Sequence, residues 1–182
     1  WLNLIENDYI NTNSIKYNST RSLISKIEAA NLNVYLSDWT TDIGIPVFRC
    51  LIVGDIDAAV SITEGFGCHH LSEIAINRAV TEAVQARTVI IAGARDDFTS
   101  TTISESPNLY KGFIKNKEKT LFEDLNEIKL TINSTKGAIN DIEERLRKIN
   151  VEKIWLYKFN NCEPFSVVRV VCLGLAPLTF GW

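Results

Sequence analysis

The chain has 182 residues, 46% of them hydrophobic and 23% charged, with a formal net charge of −3. That is one ordinary domain or a large piece of one, apolar enough to build a core and too apolar for a disordered chain. The slightly acidic balance excludes a broad nucleic-acid-binding face. The sequence also lacks an apolar run of about 18 residues for a transmembrane helix, and WLNLIENDYIN does not read as a signal peptide.

Ser19 to Ala30 reads as an amphipathic helix, with Leu23, Ile24 and Ile27 on one side and Ser19 or Thr20 as N-cap. Val34 to Trp39 and Ile45 to Val53 read as strands joined at Gly44, and Ala58 to Thr63 as a third strand. The run GFGCHHL then leads into a long helix from about Ser72 to Ala92, capped by Ser72 and with Glu73 in its first turn. From Arg95 to Lys117 the pattern becomes a polar loop that could carry substrate contacts, and residues Thr99 to Asn108 have few apolar anchors. Two charged helices follow, Lys119 to Leu130 and Ala138 to Lys148, and then two strands, Lys153 to Phe159 and Phe165 to Leu173. Strands before and after helices without strict βαβ alternation predict an α/β or α+β domain with a mixed, largely antiparallel sheet flanked by helices.

The chemistry concentrates between Glu64 and Asp97. At 100° per residue, Arg78, Glu82 and Gln85 fall within about 60° of one another, while Ile76, Val80, Ala83 and Ile91 take the opposite side. The polar stripe is either an Arg78–Glu82 pair on a solvated surface or a line of metal and phosphate contacts; spacing does not separate the two. Gly65 and Gly67 before a helix either make a tight turn or let backbone N–H groups approach phosphate, and a lone GxG is a weak signal. His69 and His70 are the only histidines and, being adjacent, point apart. Cys68 beside them has poor geometry for a thiol–imidazole pair. Cys50, Cys68, Cys162 and Cys172 form no CxxC pair, which predicts reduced thiols in a cytoplasmic protein. The chain opens on Trp1 and has no methionine, so the expectation is a piece of something longer.

The run GFGCHHLSEIAINRAVTEAVQARTVIIAGARDD resembles the YcaO family's G-x-G-C/A-H…A-x-x-R-A-x-T-E-A-x-Q-x-R…G-x-R-D-D segment, and DWTTDIGIPVFRCLIV resembles the strand pair that precedes it. The likeness is specific from Asp38 to Asp97. The closing VVRVVCLGLAPLTF resembles the family's last strand, with Leu173 in place of its proline. The resemblance implies that residues 1–182 form the C-terminal portion of a single YcaO-like domain. It also implies an ATP-dependent enzyme, using Mg2+, that activates backbone amides of peptides by O-phosphorylation to leave an azoline, thioamide or amidine.

On that resemblance Glu82 matches a metal-binding glutamate, Gln85 stands where many members have a second glutamate, and Glu73 is a third candidate ligand. Arg78 and Arg95 are candidate phosphate contacts, joined by Gly65 and Gly67 as ATP-binding positions; Asp96 and Asp97 are caps or pocket residues. The family's earlier S-x-x-x-E-x-x-E-R helix has no counterpart here, so the nucleotide site is expected to be incomplete in this chain. The GARDD wording is closest to members found beside a TfuA-type partner, which implies thioamide formation on a peptide or protein substrate. Azoline formation is the alternative, and a non-catalytic relic retaining the fold is another. Neither nucleic acid nor membrane is an expected partner, and a homodimer is left open.

Overall fold

The computed structural model describes residues 8–55, 60–93, 119–124, 134–151, 153–159 and 164–175. The chain divides into two compact units, Trp1–Leu130 and Thr131–Trp182. In the first, the strands are β1 (Tyr9–Ile10), β2 (Asn33–Asp38), β3 (Val47–Val53), β4 (Ile62–Cys68) and β5 (Lys119–Thr120). They form one sheet in the order β4-β3-β2-β1-β5. All pairs are antiparallel except β1 with β5, so the mixed, largely antiparallel sheet expected from the sequence is what forms.

Helices α1 (Asn18–Glu28) and α2 (Ser72–Ile91) cover one face of that sheet. Alternate residues of β2 and β3 (Val34, Leu36, Phe48, Cys50, Ile52) meet Ile24 and Ile27 of α1 and Ala75, Ile76, Ala79, Val80 and Ala83 of α2 in one core. The period of two on the strands and of 3.6 on the helices brings these apolar sets together. Among the described residues, no helix is long and apolar enough to cross a membrane.

Four sequence expectations change here. Tyr17 and Leu71, not Ser19 or Thr20 and Ser72, are the N-caps, and neither caps through its side chain. The Ser19 and Thr20 hydroxyls instead donate across to α2, to Glu73 Oε1 at 2.5 Å and Asn77 Oδ1 at 2.7 Å. Ile91, which helical spacing put on the buried side with Ile76, Val80 and Ala83, is exposed. The third correction concerns GFGC, which is not a loop after a strand but the second half of β4. Lys119 to Leu130 also departs from expectation: its described part is β5 and a 3-10 turn, Phe122–Asp124. The polar loop Arg95 to Lys117 lies outside the described residues.

In the second unit, α3 (Thr135–Lys148) begins at Ser134, whose hydroxyl accepts from Gly137 N at 3.0 Å. Strands β6 (Lys153–Lys158) and β7 (Val168–Leu173) form an antiparallel ribbon in which Lys153 faces Leu173.

Cys50 illustrates the dryness of the first unit's core. It is fully buried, and burial raises its thiol from 9.0 to about 12. Because the folded pKa lies above the unfolded one, stability from this group is complete below pH 9 and falls as pH rises toward 12. Native protein treated with iodoacetamide at pH 8 should therefore label exposed Cys68 well before Cys50, with Cys50 reacting only on unfolding. Peptide mapping of the labelled protein reads the order, and equal labelling of the two would contradict this packing.

Candidate functional site

Among the described residues, strand β4 is the edge of its sheet, and α2 lies directly on it. Gly65 and Gly67 share the face turned to the helix. A Cβ on Gly65 would sit 2.8 Å from Glu82 Cβ and closer still to the backbone of Ala79 and Ala83. One on Gly67 would sit 2.6 Å from Ala79 N and inside the carbonyl of Ala75. The glycines therefore allow close helix–strand approach. By alternation with the outward Phe66 amide, their own N–H groups face β3, opposite Cys50 and Phe48, and not a phosphate.

Close packing carries the exposed stripe of α2 over the free edge of β4. Edge strands leave alternate N–H and C=O groups unpaired. Here the Phe66 amide donates to Glu82 Oε2 at 2.9 Å, and Arg78 Nη1 donates to the Cys68 carbonyl at 3.0 Å. Rather than pairing with each other, Arg78 and Glu82 are each tied to strand backbone. Among the described residues, one carboxylate oxygen of Glu82 and further guanidinium N–H groups of Arg78 are left over. Gln85 continues the stripe one turn on and is exposed.

Glu73 is not part of this group. It leaves α2 about 180° around the helix from Glu82, and it is held by Ser19 of α1. Arg95, with Asp96 and Asp97, lies outside the described residues. Among the described residues no three His, Cys, Asp or Glu side chains cluster closely enough to hold a metal. Glu82 and Gln85 nonetheless suit Mg2+, a hard ion commonly bound by one or two carboxylates with water and phosphate completing its shell.

Neighbouring groups do not form a nucleophile. Burial raises the Cys68 thiol, against a smaller lowering by Arg78, so it is not a ready thiolate. Burial, then Arg78 and His70, lower His69, whose Nδ1 accepts from Leu71 N at 3.0 Å. The two imidazoles stand 6.3 Å apart, edge to face.

On the opposite face of β4 is a cluster that spacing did not reveal. Arg49 of β3, 9% exposed, donates from Nε and Nη2 to Glu64 Oε2 at 3.0 and 2.7 Å. Its guanidinium lies 5.3 Å from the Trp39 ring centre and 5.9 Å from that of Phe66. The only trace in the sequence is an arginine inside the apolar run VFRCLIV; its partners become visible once the β3–β4 register is known.

The family model described as "YcaO cyclodehydratase, ATP- and Mg2+-binding" matches residues 1–176. The chain belongs to the YcaO family. A curated relative from Rhizobium leguminosarum bv. trifolii, described as an uncharacterized protein in a tfuA 3′ region, is 35% identical over 169 residues, covering 84% of this chain and 39% of its own. An uncharacterized protein of Methanothermobacter thermautotrophicus is 29% identical over 161 residues, covering 84% of this chain and 42% of its own. The YcaO chain thus spans about two fifths of the length of these relatives. Among solved structures, YcaO from Methanopyrus kandleri bound with AMPPCP and Mg2+ has a TM-score of 0.69 at 18% identity, over 91% of this chain and 44% of that one. A heterocyclase in complex with substrate and cofactor has a TM-score of 0.75 at 17% identity, over 93% of this chain and 23% of that one. At these identities the two structures establish the shared fold.

Proposed function

We propose that this chain is part of an ATP- and Mg2+-dependent enzyme that activates peptide backbone amides by O-phosphorylation, and that its product is a thioamide. The observation that carries the reaction class is the pinned pair on the β4 rim, where Arg78 and Glu82 are held in place before any ligand arrives. Phosphoryl transfer asks little covalent chemistry of a protein and much positioning and charge neutralisation. Glu82 and Gln85 would hold Mg2+, which when bound neutralises charge on the triphosphate. Arg78 would donate its remaining N–H groups to a phosphate oxygen. Arg95 remains a second candidate phosphate contact by its place in GARDD, and Glu73 a candidate ligand only by its place in the family's pattern. Gly65 and Gly67 would serve the nucleotide site indirectly, by letting α2 sit close enough for Glu82 to reach β4. With ATP as co-substrate, the setting is cytoplasmic.

The thioamide reading is supported by the tfuA-region description of the Rhizobium relative, which matches 84% of this chain. A TfuA-like partner and a sulfide donor then belong to the reaction. The family description, cyclodehydratase, favours azoline formation as the second reading. Both consume ATP, so hydrolysis does not distinguish them. Intact mass of the substrate peptide does: sulfur replacing the amide oxygen makes it about 16 Da heavier, and cyclodehydration about 18 Da lighter by loss of water. The expected outcome with full-length protein, TfuA-like partner, ATP and sulfide is the heavier product. A water-loss product formed without a sulfur source would replace thioamide by azoline formation.

A further inference from the structure

We propose that Arg49, on the sheet face turned away from α2, is a positioning residue for Glu82 and acts through Phe66. The inference rests on the reading of Glu82 as a metal-facing carboxylate. Glu64 and Phe66 lie two residues apart on one face of β4, and Arg49 of β3 holds both, the first by an ion pair at 2.7 Å and the second by lying 5.9 Å from its ring centre. Trp39 completes the grip, edge-on to Phe66 at 5.6 Å. This clamp fastens β4 to β3 at the residue whose amide donates outward to Glu82 Oε2 at 2.9 Å.

Edge strands exchange and fray more readily than central ones, and Phe66 is 41% exposed. A glutamate also has three side-chain torsions to fix. Held at one oxygen by a fixed amide, Glu82 keeps a narrow range of orientations with its other oxygen free. Without the clamp the amide moves with the fraying strand, and the carboxylate loses its reference point. A purely structural Arg49 would instead lower stability everywhere alike.

Hydrogen exchange at residue resolution in the full-length protein tests this. Removing Arg49 alone would leave Glu64 without its partner, so the variant is R49M/E64Q, with F66A as an independent way to remove the ring while keeping the amide. In both, the Phe66 amide should exchange about tenfold faster, while the amides of Leu36 on β2 and Ile24 on α1, away from the β3–β4 pair, keep their rates. Calorimetric titration with ATP·Mg2+ should show affinity falling about tenfold in R49M/E64Q, whereas R49M/E64Q/E82Q should bind no more weakly than E82Q alone, as expected if the clamp acts through Glu82. Unchanged exchange at Phe66 in both variants would overturn the positioning role. Wild-type affinity in E82Q would instead remove the metal reading, leaving the exchange result to judge the clamp on its own.

Discussion

Gly67→Ala is expected to be among the most damaging single-atom additions available to this chain. The new Cβ would stand 2.6 Å from Ala79 N and inside the Ala75 carbonyl, both helix backbone rather than side-chain ends that swing away. Relief requires α2 to lift from β4, opening the contacts of Ala75, Ala79 and Ala83 with the sheet, all of them fully buried. Overpacking of this kind costs about 3 kcal/mol or more when backbone cannot yield, a large part of the stability of an ordinary domain. Denaturant unfolding of the variant should show a midpoint shift of that size or no cooperative transition. Gly93→Ala is the control: its Cβ meets open space, and its φ of +58° costs only about 1 kcal/mol. Similar losses at the two glycines would mean that α2 does not rest on β4 as described.

The second large effect concerns chemistry rather than folding. Glu82→Gln in the full-length protein is expected to lower peptide-dependent ATP turnover by about two orders of magnitude while leaving the unfolding midpoint unchanged. The side-chain amide oxygen of glutamine can still accept from the Phe66 N–H, which in the wild type donates to Glu82 at 2.9 Å, so the β4 edge stays closed. What disappears is the negative charge offered to a divalent cation. Turnover assays paired with thermal unfolding separate the two roles. Full activity in a stable Glu82→Gln variant would exclude Glu82 as a metal ligand, and loss of folding would make it a structural clasp.

Much of this molecule was legible before its structure. The core faces of α1 and α2 follow from the spacing of Ile24, Ile27, Ile76, Val80 and Ala83, because helical period alone decides which residues share a side. The stripe Arg78, Glu82 and Gln85 was legible for the same reason, and the family followed from the wording of Gly65 to Asp97. The failures were equally physical. Glycine reads as a turn residue in one dimension, yet Gly65 and Gly67 recur with the period of a strand and serve to let a helix come near. Local capping rules assigned Ser19 and Ser72 to helix ends, and for Ser19 a better partner across the helix pair won.

The sequence by itself determined the elements, the apolar faces and the family, since each depends on neighbours a few positions away along the chain. Only the tertiary structure decided what Arg78 and Glu82 do. Whether such a pair closes on itself, faces water or clasps another element depends on what lies beside the helix, and here that is the unpaired edge of β4. The same holds for Arg49, whose partners Glu64 and Phe66 come from a strand 15 and 17 positions away, brought alongside by the β3–β4 register. Unpaired backbone groups at a sheet edge have no signature in side-chain order; they arise when strands stop pairing, and then draw in whichever polar side chains the packing puts within reach.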